Sequence, residues 1–231
     1  MRIRSYIVRL LLCVALVAPL HLAAQSSQTP RPGVHPVSGR VYAQPMSVQG
    51  APWLERSERI EEEDPDHALK VLKIPKGAVV ADIGAGSGYM SVRMAKIVGP
   101  QGKVYANDIQ QGMLDLVTKN AAKAKLTNVE TVLGAVDDPR LPANSLDLAF
   151  MADVYHEFSQ PQIMLQKIRE ALKPTGRLVL LEYRAEDPNV PILPEHKMTV
   201  AQVKLEVEHE GFKLATVNED LPRQHEFIFT K

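Results

Sequence analysis

The chain has 231 residues, room for one compact domain with an appendage, and its 45% hydrophobic and 23% charged residues are ordinary for a globular protein. That balance excludes a wholly disordered chain, a collagen-like fibre and a multi-span membrane protein. Twenty-seven basic residues offset 27 acidic ones, so no global field recruits nucleic acid or anionic lipid, and the single cysteine, Cys13, excludes a disulfide framework or a Cys-rich zinc site.

Arg2, Arg4 and Arg9 precede the uncharged run Leu10–Leu20, and the small-residue stretch HLAAQSS follows it. A basic start, a short apolar core and an Ala-rich end predict a secretory signal peptide over residues 1–24, cleaved after Ala24. The 11-residue run is about half of the roughly 20 residues a spanning helix needs, so no stable membrane span is expected after cleavage; an uncleaved tether is the alternative. Removal of the leader takes the formal charge from 0 to −3 and leaves no cysteine, which excludes thiolate catalysis. The expected location is therefore periplasmic or secreted. Translation from Met46 would instead spare the sheet and give a cytoplasmic protein.

Residues 25–52 carry five prolines (Pro30, Pro32, Pro36, Pro45 and Pro52) among Ser and Gly, which predicts an extended arm with little structure of its own. Residues 53–76 read as a helical lid or cap: Leu54, Ile60, Ala68, Leu69 and Leu72 line helical faces on either side of a break at Pro65. Trp53 and Arg56 belong either to a cover over a pocket or to ordinary packing.

From residue 77 to 231 strand, turn and helix alternate. Ala78–Ile83 is a strand ending near Asp82, followed by glycines and a helix with Met90, Met94, Ile97 and Val98 on one face. Lys103–Asp108 is a second strand ending in an acid, and its helix carries Leu114, Val117, Ala121 and Ala124. Val129–Leu133 and Leu146–Ala152 are strands three and four, Pro161 opens a helix, Lys173–Gly176 ends it, and Arg177–Tyr183 is a buried fifth strand. A helix near Thr199–Glu210 and a hairpin of Phe212–Val217 with Glu226–Thr230 close the chain. The expected fold is α/β: a doubly wound, seven-stranded, mostly parallel sheet with a C-terminal antiparallel hairpin.

In such sheets ligands bind beyond the carboxyl ends of the strands, where Gly84, Gly86 and Gly88 fall. The dinucleotide fingerprint needs a small residue at position 89, and Tyr89 stands there, which disfavours NAD. The segment VVADIGAGSGYMSVRMA, with Asp82 before the glycines and Asp108 ending strand two, resembles motif I of class I S-adenosylmethionine (SAM) methyltransferases. The segments GAVDDPRLP, NSLDLAF and IREALKPTGRLVLLE are similar to that family's later strands and turns. The likeness runs from Asp66 to Lys231 and is nearest to the ubiquinone/menaquinone C-methyltransferase (methyltransferase type 11) branch.

The resemblance implies SAM as cofactor and a small molecule as methyl acceptor, with no nucleic-acid partner. It implies that Asp82 approaches the methionine ammonium, that Gly84, Ala85, Gly86, Gly88 and Tyr89 form the cofactor loop, and that Asp108 binds the ribose hydroxyls. Ile109 and Met113 would pack on adenine, Asp137 or Asp138 would accept from its amino group, and Asp153 would border the transferred methyl. Asp108 as a helix N-cap and Asp137 and Asp138 as turn acids are the plainer alternatives. After strand four, MADVYHEF supplies His156 as candidate base, with Tyr155 beside it; a purely structural histidine is the alternative. Glu157, Tyr183, Arg184, His196 and Lys197 are candidates for the acceptor. Asp153, His156, Glu182 and His196 could converge on a metal, but no local spacing supports one and none is expected. An exported SAM- or nucleoside-binding module without catalysis and, more remotely, an NAD-dependent oxidoreductase are the competing functions.

Overall fold

A computed structural model describes residues 33–231 of the chain; the expected leader, residues 1–24, lies outside the described residues. Period-two burial builds the sheet. Along β1 (Val79–Ile83) Val80 faces one apolar cluster and Ala81 and Ile83 the other; in β5 (Leu172–Arg184) Leu178 and Leu180 alternate with Val179 and Leu181 in the same way. Continuous apolar strands of this kind need cover on both faces. On one side lie α3 (Pro65–Val71) and α4 (Tyr89–Val98), through Ala68, Leu69, Met90, Met94 and Val98. On the other lie α6 (Pro161–Ala171) and α7 (Val200–His209), through Met164, Leu165, Ile168, Val203 and Val207.

β2 (Lys103–Asp108) and β3 (Val129–Leu133) pair parallel outward from β1, and β4 (Leu146–Ala152) pairs parallel with β1 and β5. The hairpin of β7 (Lys213–Asn218) and β8 (Gln224–Thr230) inserts β8 antiparallel against β5, giving the order β3-β2-β1-β4-β5-β8-β7. The fold is thus the doubly wound α/β sheet with a terminal antiparallel hairpin. It has one strand more than the seven expected: β6 (Lys197–Met198), two residues parallel to the end of β5, with Tyr183 opposite Lys197. β5 also starts earlier than the sequence suggests. Lys173–Gly176 lies within it, and a register shift between Leu146 and Leu148 accommodates the irregular stretch. Strand order reverses between β1 and β4, which opens a crevice at their carboxyl ends.

The N-terminal segments close over that crevice. From Ala51 onward lie α1 (Ala51–Leu54), which contains Pro52 in its first turn, α2 (Arg59–Glu63) and α3; Asp64, in left-handed backbone (φ 47°), ends α2, and its side chain accepts from the His67 N–H to cap α3. The proline-rich arm follows a fixed course from Gly33 onward. A bridge between Val34 and Val41 closes a turn, and His35, Arg40 and Ala43 are buried. Arg40 donates through Nε and Nη2 to Glu206 of α7 at 3.1 and 3.0 Å, and Ser38 and His35 also contact that wholly buried carboxylate. A buried charge of this kind persists only when paired and hydrogen-bonded. No helix among the described residues is long and apolar enough to cross a membrane.

Candidate functional site

One cavity of about 850 Å³ occupies the crevice, within the roughly 300–1,000 Å³ span of small-molecule sites. The loop after β1 forms its floor. Gly84 and Gly86 have φ of +69° and +54°, and a Cβ on either would lie 2.5 Å from Val154 or 2.7 Å from Leu54, so any side chain at these positions is strained and the turn favours glycine. Asp108, at the end of β2, is nearly buried. Its Oδ2 accepts from the Gly86 N–H at 3.0 Å and its Oδ1 from the Gln110 N–H at 2.9 Å. Each oxygen keeps a lone pair for a further donor, and burial lifts this carboxyl above its usual range against those N–H bonds. Ile109, Met113 and Val136 add apolar wall beside it.

At the opposite end stands a polar group. His156, in the 3₁₀ turn Tyr155–Glu157 just after β4, is buried; its Nδ1 meets Glu182 Oε2 at 2.6 Å and its Nε2 meets His196 Nδ1 at 3.0 Å. Burial opposes charge on this imidazole, but Glu182 outweighs it and raises its pKa. His196 moves the other way, lowered by burial and then by His156. Burial pushes the Glu157 carboxyl up to about 7. Arm and lid supply the roof: Ala43 N–H and Arg40 Nη1 both donate to the His156 carbonyl, at 3.1 and 2.8 Å, and Gln110 Nε2 donates to the Met46 carbonyl at 2.8 Å.

Asp153 joins the two ends. It holds left-handed backbone (φ 56°), a strained state for a residue with a side chain. Its Oδ2 accepts from Gln224 Nε2 at 2.7 Å, and its Oδ1 has no hydrogen-bond partner among the described residues. Burial, then Glu63 and Glu182, hold its carboxyl well above the usual range. Nearby Arg59 also lines the cavity, its guanidinium bonded to Glu63 and to the Leu54 carbonyl. Tyr183 donates to Glu63 Oε1 at 2.8 Å, and Arg56, stacked 3.6 Å from the Trp53 ring centroid, reaches the same oxygen.

The cavity therefore gathers Gly84, Gly86, Asp108, Ile109, Met113, Asp153, His156, Glu157, Tyr183 and His196 of the residues singled out in the sequence. Others stand elsewhere. Asp82 is buried behind the glycine loop, bonded to Ser91, and Ala85 packs beneath that loop. Gly88 and Tyr89 face away, where Arg59 and Arg93 stack on the Tyr89 ring at 4.4 and 3.8 Å. Asp138 caps its own turn through the Arg140 N–H, and neither it nor Asp137 reaches the wall, which Val136 lines instead. Tyr155 is a correction to the catalytic expectation: its ring is wholly buried in the core because the 3₁₀ turn aims it opposite to its neighbour. Arg184 and Lys197 are spent on backbone carbonyls, Arg184 on Glu219, Leu221 and Gln224 and Lys197 on Asp187 and Val190, so neither points at an acceptor. The sequence reading missed Arg59, Glu63 and the arm residues 42–46. Only the apolar pattern around Leu54 and Ile60 hinted at the first two.

A family described as a methyltransferase domain matches residues 74–222. A SAM-dependent methyltransferase from Aquifex aeolicus superposes with a TM-score of 0.76 at 29% identity, covering 80% of this chain and 98% of its own. Demethylmenaquinone methyltransferase of Listeria monocytogenes is 28% identical over 123 residues, 53% of this chain and 51% of the relative. The ubiquinone/menaquinone biosynthesis C-methyltransferase UbiE of Hahella chejuensis is 30% identical over 118 residues, 51% and 47% of the two chains. The match thus spans about half the length of these curated relatives. With the family in hand, the glycine turn, the carboxylate at the end of β2 and the unpartnered Asp153 oxygen suit a cationic nucleoside donor. This chain belongs to the methyltransferase-domain family, and its cofactor is S-adenosylmethionine.

Proposed function

We propose that the protein transfers the SAM methyl group to a small, largely apolar acceptor with an ionisable oxygen or carbon, of the phenol or hydroquinone kind. The observation that carries this reading is one cavity that runs from the Asp108 carboxylate and glycine turn to the buried His156. SAM supplies an electrophilic methyl sulfonium, so the protein's task is to position, dehydrate and manage a proton. Asp108 takes the ribose hydroxyls in charge-assisted bonds. Asp153 meets the ammonium of the methionine moiety and Arg59 its carboxylate. At the other end Glu182 fixes the proton of His156 on Nδ1, so Nε2 is a lone pair that accepts from His196 Nδ1–H; an acceptor hydroxyl that displaces His196 from it gives its proton to that nitrogen. Phe158, Met164, Ile192 and Leu193 give that end its apolar walls. The names of the Listeria and Hahella relatives support the acceptor class. In this reading the leader exports the enzyme, which N-terminal sequencing of the native protein checks by a start near Gln25.

Calorimetric titration with SAM and with its demethylated product tests the assignment, with Asp108→Ala as control. We expect micromolar binding that the substitution weakens by roughly tenfold or more. A panel of phenols and hydroquinones then reads turnover. Tight SAM binding with no methylated product across that panel would favour a non-catalytic binding module.

A further inference from the structure

The acceptor end holds a feature that proton transfer alone does not require. One nitrogen each from His156 and His196 and one carboxylate oxygen of Glu157 lie within 4.8 Å of one another, and all three residues line the cavity. The nitrogens facing each other, His156 Nε2 and His196 Nδ1, are 3.0 Å apart, close to the roughly 3.3 Å between ligand atoms that bond lengths near 2.0–2.1 Å give a tetrahedral ion. Two imidazoles and a carboxylate suit divalent first-row transition ions, whereas Mg²⁺ and Ca²⁺ prefer oxygen alone.

The surroundings point the same way. Metal-binding histidines usually donate their second ring N–H to a carboxylate, which fixes the tautomer and strengthens the ligand. His156 Nδ1 stands 2.6 Å from Glu182 Oε2, placed to donate its N–H to that carboxylate. Glu182 is wholly buried, and its Oε1 has no hydrogen-bond partner among the described residues. A buried carboxylate with one oxygen unpaired is costly, and a cation two bonds beyond it would offset that cost. The ligands also stand on fixed supports. The turn carrying His156 and Glu157 is pinned through the His156 carbonyl by Arg40 and Ala43, and His196 immediately precedes β6, which is paired to β5.

We propose that His156 Nε2, His196 Nδ1 and a Glu157 carboxylate oxygen bind one divalent transition-metal ion of the zinc and cobalt class, with a remaining position open to the acceptor. This deepens the acceptor-end reading above and rests on it for its role. A hydroxyl coordinated there gives its proton to solvent water and is held as the oxyanion, so the ion does the work that the bare His156 lone pair does without it.

The test uses the full chain after chelator treatment, titrated with CoCl₂ and followed by visible d–d absorption, with Zn²⁺ titrated by calorimetry. We expect one equivalent of Co²⁺ to give the intense bands of a four- or five-coordinate ion, Zn²⁺ to displace it, and excess Mg²⁺ to leave it in place. His196→Ala, on a surface loop, removes a ligand and weakens binding by more than the roughly 10–100-fold expected of the supporting Glu182→Gln. Both variants are checked for a wild-type melting transition, and Glu157→Gln provides a second ligand deletion if either fails that check. Co²⁺ binding weaker than about 1 mM, or binding that His196→Ala and Glu157→Gln leave unchanged, overturns the proposal. SAM titration of the same metal-free sample separates the two readings. Intact SAM binding without Co²⁺ binding removes only the metal, and loss of SAM binding by a folded protein removes the methyltransferase reading itself.

Discussion

The two ends of the cavity are built in different ways. Gly84, Gly86 and Asp108 come from consecutive elements, and the Asp108–Gly86 hydrogen bond spans 22 residues of sequence. The acceptor end is assembled from afar: His196 lies 40 residues from His156, and Arg40 reaches the His156 carbonyl across 116. The glycine end is one local turn, while the His156 end depends on segments that the rest of the fold must bring together. Chemistry follows the division. The near end offers hydrogen bonds to a nucleoside, and the far end offers titrating side chains.

Substitutions that touch one end and spare the other test this division. The largest effect is expected of His156→Ala, which should lower kcat by roughly 10²–10⁴ while SAM affinity stays within about twofold; equal loss in both would show that the ends are not separable. Arg40→Ala comes next. It leaves Glu206 buried without its guanidinium, and urea unfolding should show a loss of roughly 3–5 kcal/mol, with activity falling because the His156 carbonyl loses a donor. A paired apolar replacement, Arg40→Met with Glu206→Leu, should recover stability and leave activity low.

Asp82 supplies a pH test confined to the near end. Burial raises its carboxyl from an ordinary 3.8 to about 6, against the bond from Ser91 and the charge of Arg59. The folded state therefore binds the extra proton between those values. Its stabilising contribution is complete below pH 4 and is lost as pH rises through about 6, by at most roughly 3 kcal/mol. Asp82→Asn should flatten that slope in denaturation curves taken from pH 4 to 7 and leave the far end's pH–rate profile in place. The smallest expected change is Gly86→Ala. Forcing a Cβ into φ +54° beside Leu54 should cost about 1 kcal/mol of stability and a few-fold in SAM affinity, measured by melting and calorimetry.

How much of this was legible in the sequence follows from the same division. Strand alternation and the Met90, Met94, Val98 stripe announce the α/β sheet because burial repeats at the period of the element, and the glycines announce the turn because its positive φ strains any other residue. β6 was not legible, since two residues carry no period; its pairing depends on where β5 ends. Tyr155 stands beside the candidate base His156 in one polar run, and nothing in the sequence shows that a 3₁₀ turn sends the tyrosine into the core and the histidine to the cavity. Arg184 and Lys197 looked free because backbone carbonyls available to a side chain leave no mark in a sequence. The arm misled by composition: its prolines suit an extended path, and docking depends on His35 and Arg40 finding Glu206 on a helix near the other end of the chain.

The pairing of Arg40 with Glu206 also orders events during synthesis. The two residues are 166 positions apart, so a ribosome delivers the arm early and its anchor almost last. Chains grow at about 5–20 residues per second, so the β1 glycine turn, complete at Gly88, precedes Glu206 by roughly six to twenty-four seconds, during which the roof over His156 has nothing to dock on. The glycine-turn end of the cavity can therefore exist on a nascent chain before the roofed end does, and His156 takes its final seat only when α7 arrives to hold the arm down.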